Sequence, residues 1–115
     1  MDARARANTK QVAVKCLAVR WVSDEPQPGW LEYQLTDADG VTWRFFDKPI
    51  HGGWEALTST AHYPLPSSFA CEIVRTETDA HGTTVIVIST LSPDGLESSD
   101  GRSDFRVRQS QLIRD

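Results

Sequence analysis

Carboxylates paired at short spacing bind calcium, and the heptapeptide TDADGVT at 36–42 offers Asp37 and Asp39 just before Gly40. A near copy, TDAHGTT, stands at 78–84, forty-two positions further on, with Asp79 kept and His81 in place of the second acid. A twelve-residue calcium loop closes with a bidentate glutamate, but the twelfth position counted from Asp37 is Lys48. Both copies read better as hairpin turns: glycine supplies the positive φ that a tight connection demands, and aspartate caps the turn. No metal or other cofactor is expected.

Other chemistries fare no better. Cys16 and Cys71 sit mid-strand among apolar residues, which predicts two buried, reduced thiols rather than a nucleophile or a disulfide scaffold. The histidines, His51, His62 and His81, form no H-x-x-x-H pair, and no C-x-x-C is present. HGGW at 51–54 is similar to the oxyanion-hole loop of esterases, yet the G-x-S-x-G elbow that gives such a loop meaning is missing. Asp47, Glu55, Glu32 and Glu72 would do acid–base work only if the fold brought them together. No catalytic residue is assigned.

Charge is unevenly spread. The net charge is −4, divided as +4 over residues 1–20, −10 over 21–100 and +2 over 101–115. An acidic middle repels nucleic acid and favours a basic partner at the hairpin tips. If the first and last strands lie side by side, Lys15 or Arg20 shares a side with Arg106 and Arg108, and Asp37, Asp39 and Asp79 point away from them. No stretch approaches the length of a membrane helix, and QVAVKCLAVRWV is interrupted by Lys15 and Arg20, so the expectation is a cytoplasmic chain with no membrane partner.

The elements that must position these residues are strands. Residues 1–9 read as a flexible basic arm, and residues 10–115 as one domain. Residues 11–22 are apolar on both parities, as in a bent barrel strand. WLEYQLT and VTWRFFD form a hairpin about DADG; FACEIVRTET and TTVIVIST form a second about DAHG; FRVRQSQLI closes the chain. WEALTSTA between the hairpins predicts a short helix. The expected fold is all-β: a small five- to six-stranded barrel with an OB-like strand order, the alternatives being an SH3-like barrel or a half-open sheet.

Aromatic residues concentrate in the first half, at Trp21, Trp30, Tyr33, Trp43, Phe45, Phe46 and Trp54. Strand parity sends Tyr33, Trp43 and Phe45 inward and leaves Trp30 and Phe46 outward, beside Arg44 and Asp47. The candidate binding residues are therefore Trp30, Arg44, Phe46, Asp47, His51 and Trp54, with Asp37, Asp39 and Asp79 at the turns. Together they predict a non-enzymatic interaction module of the immunity or regulatory kind, with a protein partner and an option of self-association. The alternatives are a binder of single-stranded nucleic acid or oligosaccharide, stacking on Trp30, Phe46 and Trp54, and a small hydrolase or isomerase using the acids and His51.

Overall fold

The computed structural model describes residues 11–49 and 57–114. The expected arm at 1–9, His51, Trp54 and Glu55 lie outside them.

Alternation governs the first strand until the register slips. In β1, Gln11–Ser23, Val12, Val14, Cys16 and Ala18 are buried while Lys15 and Leu17 are exposed. Pairing with β2, Trp30–Thr36, shifts between Ala18 and Arg20 and again between Trp21 and Ser23. Each shift inserts one extra residue in β1, so the inward phase passes from Ala18 to Trp21, and Arg20 turns outward opposite Glu32. A strand that changes phase part-way is apolar on both parities, as residues 11–22 are.

β3, Thr42–Asp47, pairs with β2 without a slip, Tyr33 opposite Phe45 and Gln34 opposite Arg44. The chain continues through β4, Leu65–Thr78, β5, Thr84–Ser89, and β6, Asp104–Val107. A 3-10 turn at Gln109–Gln111 leads to β7, Leu112–Ile113. The antiparallel order is β3-β2-β1-β4-β5-β6, with β7 added to β1, and the sheet curls into a half-barrel. β1 pairs along Gln11–Ala18 with β4; β2 takes Leu17–Ser23, and β7 takes Ala13 and Val14. The expected last strand, FRVRQSQLI, is split: β7 alone reaches β1, while β6, which carries Arg106, pairs with β5.

The concave face holds the core. Tyr33, Phe45, Phe69 and Phe105 are fully buried and meet edge-on or tilted, with ring centroids 4.7 to 5.5 Å apart. Such pairs add about 0.5–1.5 kcal/mol each beyond the area they bury. β5 is buried on both faces, as its Val-Ile-Val-Ile run predicts. Ile86 and Ile88 join the core cluster. Val87 lies on the convex face between Arg75 and Arg106, its register partners on either side.

Both heptapeptides form the same turn. Asp37 Oδ1 accepts the amides of Asp39 and Val41, and Asp79 Oδ1 accepts those of His81 and Thr83, all four at 2.9 Å. Gly40 and Gly82 take φ of 83° and 79°.

The open edges of the curled sheet approach each other through a few bonds. The Ala38 amide donates to the Arg106 carbonyl, the Ser99 amide to the Arg44 carbonyl, and Gln111 Nε2 to the Thr36 carbonyl, each at 2.7 Å. The short helix expected over 54–61 is not formed in its described part: residues 57–61 are irregular, with a turn at Ser59 and Thr60. Thr58, Ser59 and Thr60 carry hydroxyls that compete with helical hydrogen bonding, and Thr58 Oγ1 and Thr60 Oγ1 bond one another at 3.4 Å.

Candidate interaction surface

The hairpin of β2 and β3 sets the site by parity. Leu31, Tyr33 and Leu35 point into the core, so Trp30, Glu32 and Gln34 face outward, and Arg44 and Phe46 lie beside them on β3. The slip at Val19 brings Arg20 of β1 to the same face. The result is a charged centre with an aromatic surround. Glu32 Oε1 accepts Arg20 Nε at 2.7 Å, while Oε2 accepts Arg44 Nε and Gln34 Nε2, both at 3.1 Å. The Arg44 guanidinium also lies over the Phe46 ring, 5.4 Å from its centroid.

Glu32 is 4% exposed, although it sits on the convex face. Its own partners shelter it. Desolvation alone would raise its pKa, but the hydrogen bonds from Gln34, Arg20 and Arg44 outweigh that and hold the carboxyl below its ordinary value. The arginine side chains remain 56% and 53% exposed. Each spends its Nε on Glu32, so its terminal amino groups face solvent, and the triad carries one net positive charge on a chain whose total is −4. Leu17, 44% exposed and opposite Gln34, and half-buried Trp30 extend the face with apolar surface.

The structure brings Trp30, Arg44 and Phe46 together and leaves the other described candidates elsewhere. Asp47 is opposite Leu31, on the inward parity at the end of β3, and its Oδ1 accepts the Lys48 amide. Asp37 is buried; besides capping its turn it accepts Trp43 Nε1 at 2.9 Å. Asp39 accepts Arg106 Nη1 at 3.1 Å, and Asp79 accepts Arg108 Nη1 at 3.1 Å. The expected separation of acidic turns from basic last strand is therefore corrected: curling of the sheet brings the first turn to β6, the pairing of β5 with β6 brings the second turn beside Arg108, and Asp39 and Asp79 are spent on these arginines. Parity in the sequence already placed Glu32 and Arg44 on one face. The role of Arg20 was hidden, because only the register slip turns it outward.

Glu32 and Glu72, two of the acids offered for acid–base work, do not come together. Glu32 pairs with Arg20 and Glu72 with Gln11, nine residues apart on β1, about 30 Å along a strand. No three His, Cys, Asp or Glu side chains of the described residues group as metal ligands would. Burial pushes the thiols of Cys16 and Cys71 up to about 12, so neither presents a thiolate at neutral pH. An open cleft of about 390 Å³ lies at the end of the half-barrel between Trp21, Asp24, Pro28 and Leu57. Its indole is tied down, Trp21 Nε1 donating to Asp24 Oδ1 at 2.8 Å. No described helix is long and apolar enough to cross a membrane.

What these features define is an all-β half-barrel with a cation- and aromatic-bearing convex face. No protein-family model, curated protein or solved structure matches the chain.

Proposed function

We propose that the protein is a non-enzymatic interaction module that binds a protein partner through the convex face of β1–β3. The observation that carries this reading is the Arg20–Glu32–Arg44 triad, ringed by Trp30, Phe46 and Leu17. Half-exposed arginine and aromatic side chains, held in place and surrounded by apolar surface, are the residue types that carry binding energy at protein interfaces. A basic partner at the hairpin tips loses its physical support, because Asp39 and Asp79 are paired with Arg106 and Arg108. The immunity or regulatory role stays part of this reading, as the class of work such a module does.

A second reading has an observation of its own. Trp30, Phe46 and Arg44 lie on the outer face of an early β-hairpin, and OB-type barrels present such a surface to single-stranded nucleic acid. Affinity enrichment from nuclease-treated and untreated host extract separates the two. A protein retained by the wild type after nuclease treatment, and lost with the Arg20→Glu/Arg44→Glu variant, supports the first. Retention that disappears with nuclease supports the second. Equal retention by wild type and variant removes this face from both.

A further inference from the structure

We infer that the Arg20–Glu32–Arg44 face recognises a short acidic segment of its partner, the partner's carboxylates taking the terminal amino groups of the two guanidinium ions. This rests on the protein-binding reading and adds to it the chemistry of the partner.

Charge complementarity and pre-organisation carry the inference. A guanidinium presents five N–H donors in a planar fork. Arg20 and Arg44 each commit Nε to Glu32, and among the described residues no other carboxylate meets either of them. Glu32 therefore acts as a fixed internal counter-ion that orients two forks without neutralising both. Arg44 is held further by Phe46 beneath it. An arginine already placed by a buried carboxylate and a ring loses less freedom on gaining a ligand than a free one does. Trp30 and Leu17 flank the forks and offer apolar contact to the same segment.

The surroundings also carry charge. Asp24 and Glu25 are exposed in the β1–β2 loop. At the other side, the β5–β6 loop runs along β3, where Ser99 donates to the Arg44 carbonyl, and it brings exposed Asp100. These acids lie in the loops next to the hairpin, and their charge disfavours an extended chain of phosphates, whose affinity grows with each phosphate neutralised.

The test is a titration of the full chain followed by amide, indole and arginine Nε–H resonances in two-dimensional NMR. The probes are hexaglutamate, hexalysine and a deoxythymidine decamer. Hexaglutamate is expected to shift Arg20, Arg44 and Trp30 signals, with affinity falling at least ~3-fold from low to physiological salt. Arg20→Gln and Arg44→Gln should each weaken it ~5-fold or more, the loss of one charge-assisted contact. Glu32→Gln is the variant that a merely structural role does not explain: it raises the charge of the face by one and should tighten hexaglutamate ~2–5-fold in protein that remains folded by its own spectrum. If Glu32→Gln is unfolded, Arg44→Glu takes its place, and it should reverse the preference toward hexalysine. Shifts of this face with hexalysine but not hexaglutamate would overturn the acidic partner and leave protein binding standing. Tighter binding of the decamer on the same resonances would overturn protein binding as well. No shift with any probe would overturn the inference.

Discussion

Arg106 and Asp39 stand sixty-seven positions apart in the chain and meet at 3.1 Å, where the first hairpin turn touches β6. Two residues further on, Arg108 meets Asp79 of the second turn at 3.1 Å, where the partner is the turn-capping aspartate, the counterpart of Asp37 and not of Asp39. Two identical turns dock on successive outward arginines, Arg106 and Arg108, that follow the alternation of β6. Side-chain exposures of 36% and 49% keep the Arg106–Asp39 pair in water. A double-mutant cycle on Arg106→Ala and Asp39→Ala should return a coupling of about 0.2–1 kcal/mol, falling with salt. A value above ~2 kcal/mol would show that the seam is far drier than these exposures imply.

Glu32 ties three strands together, through Arg20 on β1 and Arg44 on β3. Glu32→Ala should cost about 1–3 kcal/mol in urea unfolding, because it leaves paired donors without their acceptor. The sign with pH follows from its lowered pKa. The unfolded chain binds a proton at higher pH than the folded one, so the contribution is present above the unfolded glutamate value, about 4.3, and is lost as pH falls through the lower folded value. Asp79 shifts in the same direction, held down first by the Thr83 amide and then by Arg108. Urea midpoints should therefore drop on acidification, with a shallower slope in Glu32→Gln than in the wild type. Equal slopes would remove Glu32 as a source of the acid sensitivity.

Gly40→Val and Gly82→Val should each destabilise by roughly 1–3 kcal/mol, the cost of a β-branched residue at positive φ. Space is not the problem: a Cβ at either position meets nothing within 4 Å. Asparagine tolerates this conformation, so Gly40→Asn and Gly82→Asn should cost distinctly less. Thermal melts of the four variants check this, and equal losses for valine and asparagine would assign the effect to something other than backbone conformation. Added calcium should leave every melt unchanged.

Cys16 and Cys71 should resist thiol labelling in the native protein and react at once after denaturation. Burial holds both thiols protonated. Cys71 is opposite Val12, four residues from Cys16 along β1, which separates them by about 13 Å. A disulfide needs α-carbons within roughly 7 Å, so oxidised protein should show no Cys16–Cys71 bridge by mass spectrometry. Rapid labelling of folded protein would mean that the β1–β4 pairing opens easily.

Much of this was legible in the residues themselves, for reasons that differ by element. β2 and β3 were readable because Leu31, Tyr33, Leu35 and Phe45 alternate without interruption and a glycine turn joins them. β5 was readable because Val85 through Ile88 leave no polar face. The phase change in β1 was not, since valine at positions 19 and 22 suits a regular strand as well as a bulge. The fate of the turn acids was not legible either. For Asp39 it depends on how far the sheet curls, and no local pattern encodes the approach of β3 to β6; for Asp79 it depends on the long-range choice of β5 as the partner of β6. The helix expected from WEALTSTA overrated Ala and Leu against three successive hydroxyl residues.

The sharing of one edge of β1 between β2 and β7 has a kinetic consequence. Residues 13 and 14 pair with 113 and 112, so that contact closes a loop almost as long as the described chain. Non-local pairings of this kind pay their entropy before they are rewarded, which places folding on the millisecond-to-second scale. Until Leu112 and Ile113 arrive, the β1 edge at Ala13 and Val14 lacks its final partner, and an uncapped strand edge recruits other chains. Refolding yield should therefore fall with protein concentration, and deleting residues 109–115 should steepen that fall more than it lowers equilibrium stability.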